Sequence, residues 1–122
     1  MGEPNATIYV CTTCRDPGAL DDALRPGQRL FDALSLRFAD APVPGVRLAP
    51  IECLSVCKRP CTVALAAPGK WTYVVGDLSQ DANLDDIMTA AQRYGATSDG
   101  IVPWRERPLP FRRGVISRTP PL

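Results

Sequence analysis

The chain has no histidine among its 122 residues. This absence excludes catalytic triads and dyads built on an imidazole. It also excludes Cys/His zinc sites, Rieske centres and His-ligated haem. The sequence does contain five cysteines. A metal centre built from them would use thiolate ligands only, which suits zinc or an iron–sulfur cluster.

Long apolar runs and a secretion signal are also missing. No stretch approaches the roughly 20 apolar residues that span a bilayer. The first six residues have neither a basic n-region nor an apolar h-region. We therefore expect a cytoplasmic protein with no membrane partner. In a reducing compartment, clustered cysteines are more often metal ligands or redox thiols than structural disulfides, and an odd number of cysteines favours the same interpretation.

Charge is low overall and unevenly distributed. The formal net charge is +1, but residues 103–122 contain five arginines against the single Glu106, which gives this segment +4 and residues 1–102 a net −3. The basic segment predicts a clasp on the acidic body or an electrostatic docking surface, with a merely solvated tail as the alternative. Because the total charge is near zero and no nucleic-acid-binding motif is present, we expect no nucleic-acid partner.

Hydrophobic periodicity predicts the first half of the fold. Thr7–Val10 is a short β-branched and aromatic run that leads directly into Cys11, as a strand would. From Pro26, apolar residues at helical spacing predict an amphipathic helix of about three turns. Residues 46–52 then read as an outer strand that leads directly into Cys53. The helix's apolar residues are Leu30, Phe31, Leu34 and Phe38.

The second half reads as a hairpin followed by a helix. Residues 62–66 and 71–75 flank a Pro-Gly bend, which is a strong hairpin signal. Asp81 or Asn83 can cap the next helix, and Gly95 is a natural residue to end it. The predicted order is thus β-α-β-β-α, of mixed α/β (α+β) class. The apolar face of this last helix consists of Leu84, Ile87, Met88, Ala91 and Tyr94.

The end of the chain is rich in proline. Five of the 13 prolines follow residue 102, and this spacing argues against a regular helix or a central strand. Trp104 and Phe111 make the segment too apolar for a plain disordered linker. We therefore predict a domain over residues 1–102 and an extended basic tail over residues 103–122 that packs on the domain or on a partner.

The cysteines form two groups with different spacing. Cys11 and Cys14 make a CxxC pair, whereas Cys53, Cys57 and Cys61 make a CxxxCxxxC group. Pro60 prevents a continuous helix through the second group, which predicts a binding loop. Zinc ribbons usually pair two CxxC units, whereas a [2Fe–2S] cluster needs two cysteines per iron and tolerates longer intervals.

The residues leave three interpretations open. The first is a [2Fe–2S] cluster, and the second is a zinc or cobalt thiolate protein that acts in metal handling or as an interaction module. The third is a thiol–disulfide oxidoreductase, which would need only Cys11 and Cys14 and would leave the second group unexplained.

Two resemblances bear on this choice. Cys53-Leu54-Ser55-Val56-Cys57, followed by Pro60 and the β-run at residues 62–65, resembles the CLGxC-x-x-GP segment of thioredoxin-like [2Fe–2S] ferredoxins. The stretches at residues 10–15, 57–64 and 102–108 resemble DUF1636, a bacterial family of small predicted metal-binding proteins.

These resemblances imply a thioredoxin-like fold and a one-electron carrier with no substrate of its own, hence not an enzyme. They imply a redox partner protein, such as an enzyme of cobalamin biosynthesis, and a homodimer like those of related ferredoxins. The predicted cluster ligands are Cys11, Cys14, Cys53 and Cys57. Since those ferredoxins space their first two ligands more widely, Cys61 is a fifth candidate that can replace Cys11 or Cys14.

Overall fold

A five-stranded sheet organises the part of the chain that the structure describes. The computed structural model describes residues 6–12, 26–52, 54, 61–79 and 82–122. The elements in chain order are β1 (Ala6–Cys11), α1 (Pro26–Asp40), β2 (Val46–Ile51), β3 (Val63–Ala66), β4 (Thr72–Val75), α2 (Leu84–Ala96), a 3₁₀ turn (Trp104–Glu106), α3 (Pro110–Arg113) and β5 (Val115–Thr119). The β-α-β-β-α order predicted for residues 1–102 is therefore confirmed.

The strand order is β2-β1-β3-β4-β5. β1 and β2 are parallel, and the other neighbouring pairs are antiparallel. Parallel neighbours end at the same edge of a sheet, and a strand antiparallel to them begins there. The C-terminal ends of β1 and β2 therefore meet the start of β3 at one edge, which we call the cysteine edge because Cys11 and Cys61 lie there.

Apolar side chains from both long helices and from the sheet form one core. Leu30 and Leu34 are spaced four residues apart in α1 and are fully buried, as are Ile87 and Ala91 in α2. This spacing places each pair on one face of its helix. The strands contribute buried aliphatic side chains, chiefly Ile8, Val10, Val63, Leu65 and Val75. Among the described residues, no helix has the length and apolar character needed to cross a membrane.

Helix α2 ends differently from the prediction. Gly95 was expected to follow the helix, but α2 continues to Ala96. The buried Lys70 lies at this helix end, where its ammonium group donates hydrogen bonds to the carbonyls of Tyr94 (3.2 Å) and Gly95 (3.4 Å). A cation at a helix C-terminus satisfies carbonyls that have no partner within the helix.

The chain after Pro103 has more regular structure than the extended tail that its prolines predict. It forms the 3₁₀ turn, the short helix α3 and the edge strand β5, which is antiparallel to β4. Phe111 in α3 is 3% exposed and belongs to the core. The prolines are compatible with this structure, since Pro110 occupies the start of α3, where no helical N–H is required. Whether residues 1–102 form a domain of their own stays a prediction.

Candidate metal centre

Cys11 occupies the last position of β1 and is 2% exposed. Its N–H donates a hydrogen bond to the carbonyl of Thr62 (3.0 Å), and the N–H of Thr12 donates to the carbonyl of Ile51 (2.9 Å). The strand end is therefore tied on one side to β2 and on the other side to the residue before β3. This pairing fixes the backbone position of Cys11.

The same strand end reaches the start of the second cysteine group. Cys11 pairs with Ile51 in the parallel register, and its thiol donates to the carbonyl of Glu52 (3.6 Å). Glu52 directly precedes Cys53 in the sequence. Two predicted strands were expected to lead into the two cysteine groups, and the structure confirms both strands and brings their ends together.

Cys61 lies on the other side of Cys11 along the cysteine edge. It is 4% exposed, and it directly precedes Thr62, whose carbonyl accepts the hydrogen bond from Cys11. Cys61 and Leu78 exchange two backbone hydrogen bonds of 3.1 and 3.0 Å. The chain between Glu52 and Cys61 therefore begins and ends beside Cys11.

Three of the five predicted ligands lie outside the described residues, namely Cys14, Cys53 and Cys57. Within the described part of the chain, no group of three or more metal-ligating side chains comes together. The structure thus places Cys11 and Cys61 at one edge, and the ligand assignments remain predictions. The burial of Cys61 just before β3 also fits a small apolar core residue.

The pairing of Leu78 with Cys61 was not predicted from the sequence. In the sequence, Gly76-Asp77 indicates only that the second strand of the hairpin ends there. In the structure Asp77 has a φ of 60°, in the left-handed region, and the next residue returns to pair with Cys61. Aspartate is one of the few residues other than glycine that visit this conformation readily. An Asp directly after Gly was the one local signal for this turn.

Two titratable groups with shifted pKa values lie away from the cysteine edge. Lys70 follows the β3–β4 bend, and burial lowers its pKa, an effect that the nearby Asp99 partly opposes. Burial raises the pKa of Tyr94 to about 12, with a smaller contribution from Tyr73. The Tyr94 hydroxyl donates to the carbonyl of Trp71 (2.7 Å). These groups stabilise the junction between α2 and the hairpin and are not part of the candidate centre.

The family of the chain follows from a match over almost its whole length. The sequence model of the DUF1636 family matches residues 8–121 of this chain. That family carries the description "protein of unknown function". The chain belongs to the DUF1636 family. The resemblance seen in the three sequence stretches is thereby confirmed. No curated protein matches the chain.

Solved structures identify the fold. A thioredoxin-like [2Fe–2S] ferredoxin from Aquifex aeolicus is similar at 21% identity and a TM-score of 0.64, over 98% of this chain and 96% of that one. The crystal structure of the wild-type thioredoxin-like [2Fe–2S] ferredoxin from the same organism gives 19% identity and a TM-score of 0.58, over 95% of this chain and 99% of that one. This member of the DUF1636 family therefore has the predicted thioredoxin-like ferredoxin fold.

Proposed function

We propose that this protein carries single electrons on a [2Fe–2S] cluster held by cysteine thiolates. The observation that carries the proposal is the arrangement at the cysteine edge. The thiol of Cys11 contacts Glu52, the residue before the first cysteine of the second group. The backbone of Cys11 pairs with Thr62, the residue after the last cysteine of that group. A chain that converges on one cysteine from two directions can direct several thiolates to one point.

The residues fit such a cluster by their chemistry. The donor set contains soft thiols and no imidazole, which iron–sulfur clusters accept. The ligands in this proposal are Cys11, Cys14, Cys53 and Cys57, with Cys61 as the replacement for Cys11 or Cys14. When bound, the cluster would supply a one-electron redox couple. The burial of Cys11 and Cys61 excludes water from their sulfurs, and backbone pairing holds both in position.

The electron carried would pass to a larger redox enzyme, and the protein would need no substrate of its own. The similar Aquifex aeolicus proteins are thioredoxin-like [2Fe–2S] ferredoxins by name and cover nearly the whole chain. This likeness supports the proposal at the level of the fold. A link to cobalamin biosynthesis, a cytoplasmic location and a homodimer stay predictions from the sequence.

The test is to purify the full chain without oxygen, record its visible spectrum and measure bound metal. We expect a reddish-brown protein with charge-transfer bands and about two irons and two sulfides per chain. A colourless protein with one zinc or cobalt per chain would replace the proposal with the metal-handling alternative. A metal-free protein with disulfide-exchange activity that falls in Cys14→Ser would identify the oxidoreductase instead.

A further inference from the structure

The basic C-terminal segment exposes large apolar side chains. Trp104 is 60% exposed and Leu109 is 53% exposed. Arg105 and Arg113 are also exposed, and Arg112 is partly so. We call these five residues the basic face. This surface combines exposed tryptophan and leucine with arginines and has few lysines or acidic residues. Such a composition is more typical of a protein-binding surface than of an ordinary solvent-exposed surface.

Trp104 is exposed, but two arginines contact it within the chain. The guanidinium of Arg112 donates hydrogen bonds to the carbonyls of Trp104 (2.9 Å) and Arg105 (3.0 Å). The guanidinium carbons of Arg107 and Arg112 lie 5.6 and 6.0 Å from the centre of the indole ring. Contacts that a side chain already makes before binding reduce the conformational entropy that it loses on entering a partner's pocket.

The basic face borders the cysteine edge. Leu109 and Arg113 line an open groove of about 240 Å³ together with Gly76 and Asp77 at the end of β4. Gly76 donates a backbone hydrogen bond to Gly114 (2.9 Å), directly after Arg113. Asp77 is followed by Leu78, which pairs with Cys61. A molecule bound on Leu109 and in the groove would therefore lie beside the candidate metal centre.

We propose that the basic face docks an acidic protein surface with an apolar centre, belonging to the redox partner; this rests on the proposed function. Charge complementarity selects this occupant, since the face carries Arg105, Arg112 and Arg113, and residues 103–122 contain a single glutamate. Tryptophan and arginine are also the residues on which binding energy concentrates at protein interfaces. The arginines steer an acidic partner, and Trp104 and Leu109 form the apolar contact.

The experiment measures binding of a synthetic acidic peptide of glutamate and leucine to the full-length protein as purified, by calorimetry and by shifts of backbone amide signals. We expect the shifts to concentrate on the basic face. Trp104→Ala with Leu109→Ala should weaken binding about tenfold or more, as the loss of an interface anchor does. The matched control is Leu36→Ala, which truncates a leucine 74% exposed on α1.

Charge is tested in the same way. Arg105→Glu with Arg113→Glu should abolish most binding at low salt, whereas Arg29→Glu on the exposed side of α1 should have a small effect. Raising ionic strength to about 0.15 M, where the screening length is about 8 Å, should weaken wild-type binding. Melting curves of each variant show whether its fold is intact.

Several results would overturn the inference. Peptide binding that persists in the Trp104→Ala and Leu109→Ala variant would place the contact elsewhere. Absence of peptide binding, together with binding of duplex DNA, of phosphatidylserine vesicles or of a second copy of the chain, would identify a different occupant. A colourless, iron-free protein that still binds the peptide through the basic face would refute the proposed function and retain the docking surface. A protein that holds the cluster but binds no peptide would refute the docking surface and retain the proposed function.

Discussion

Individual cysteines are the first test of the candidate centre. Replacing Cys53 or Cys57 by serine should remove or grossly alter the cluster, because a hydroxyl is a harder and poorer ligand than a thiolate. Cys61→Ser should have a smaller effect. The visible spectrum and the number of irons per chain measure the result. Melting temperature is the necessary control, since Cys61 is buried and a serine there places a hydroxyl in the core.

The same variants can also reject the ligand assignment. If Cys61→Ser loses iron while Cys14→Ser keeps it, then Cys11 acts with Cys61 and the predicted fourth ligand is wrong. Cys61→Ala separates the two causes, because alanine removes the sulfur without introducing a buried hydroxyl. Loss of iron in both Cys61 variants at unchanged melting temperature would assign a ligand role to Cys61.

Tyr94 gives a prediction about alkaline stability. Its pKa is about 12 in the folded protein and about 10 in the unfolded chain, so the folded state holds the proton more tightly. The stability from this shift, on the order of 2 to 3 kcal/mol, is present below pH 10 and is lost as the pH rises to about 12. Tyr94→Phe should therefore flatten the fall in unfolding free energy over that range.

The measurement is urea denaturation at a series of pH values between 9 and 12. At neutral pH, Tyr94→Phe should cost about 1 to 2 kcal/mol, because the carbonyl of Trp71 loses its hydrogen bond from the hydroxyl. Tyr9→Phe leaves this bond intact and serves as the control. If wild type and Tyr94→Phe lose stability in parallel, the Tyr94 shift does not govern alkaline unfolding.

At the scale of elements, local patterns predicted most of the fold. The spacing of Leu30 and Leu34 predicted α1, and the Pro-Gly bend predicted the β3–β4 hairpin. Local patterns did not predict α3 or β5, because the structure there depends on where each proline stands and not on how many there are. Val115–Thr119 contains no proline and pairs with β4 at the edge of the sheet. Such pairing depends on residues about 45 positions away in the sequence. No periodic pattern within β5 itself indicates that β4 is its partner strand.

The candidate site was predictable only in part for the same reason. Local sequence predicted two strands that lead directly into cysteines, and the parallel pairing of Cys11 with Ile51 brings the ends of these strands together. The return of Leu78 to Cys61 is a contact between distant residues at an irregular turn. The spacing of apolar residues that identifies helices and strands does not continue through such a turn. The position of Leu78 beside Cys61 is therefore set by the folded sheet and cannot be predicted from local sequence.

Gly100 tests the loop after α2. Its φ is +87°, and a Cβ there would lie 2.6 Å from the Trp71 nitrogen and 2.8 Å from the Lys70 Cβ. Gly100→Ala should destabilise the protein by about 2 to 4 kcal/mol, through backbone strain and overpacking together. Gly69→Ala is the matched control, since φ is +73° and nothing lies within 4 Å of its Cβ. It should cost only about 1 to 2 kcal/mol.

Urea denaturation of the two glycine variants gives the comparison. Equal losses would show that the left-handed backbone alone sets the cost and that the space around Gly100 does not matter. A larger loss for Gly100→Ala would confirm that this loop packs tightly against the start of β4. The Trp71 N–H donates to the carbonyl of Asp99 (2.8 Å), so the same change should also increase hydrogen exchange at Trp71.

At the scale of the whole molecule, the basic C-terminal segment serves the fold as well as the proposed docking surface. The guanidinium of Arg107 donates hydrogen bonds to the Val102 carbonyl (2.8 Å) and to the Tyr73 hydroxyl (3.2 Å). Its carbon also lies 5.2 Å from the centre of the Tyr73 ring. Phe111 is buried in the same core. The inward-facing side chains therefore stabilise the body, while Trp104 and Leu109 remain exposed.

This division predicts the effect of removing the segment. Deleting residues 103–122 removes β5 and Phe111, leaving β4 as an exposed edge strand and uncovering part of the core. We expect a large fall in melting temperature or insoluble protein, because unpaired edges promote aggregation and Phe→Ala in a core alone costs about 3 to 5 kcal/mol. Thermal melting followed by circular dichroism measures this fall in stability.

The point variant Phe111→Ala should reproduce much of the stability loss of the truncated chain. Leu109→Ala, at an exposed position, should change stability by less than about 0.5 kcal/mol. A truncated chain that melts cooperatively at the wild-type temperature would instead show that residues 1–102 are a domain of their own.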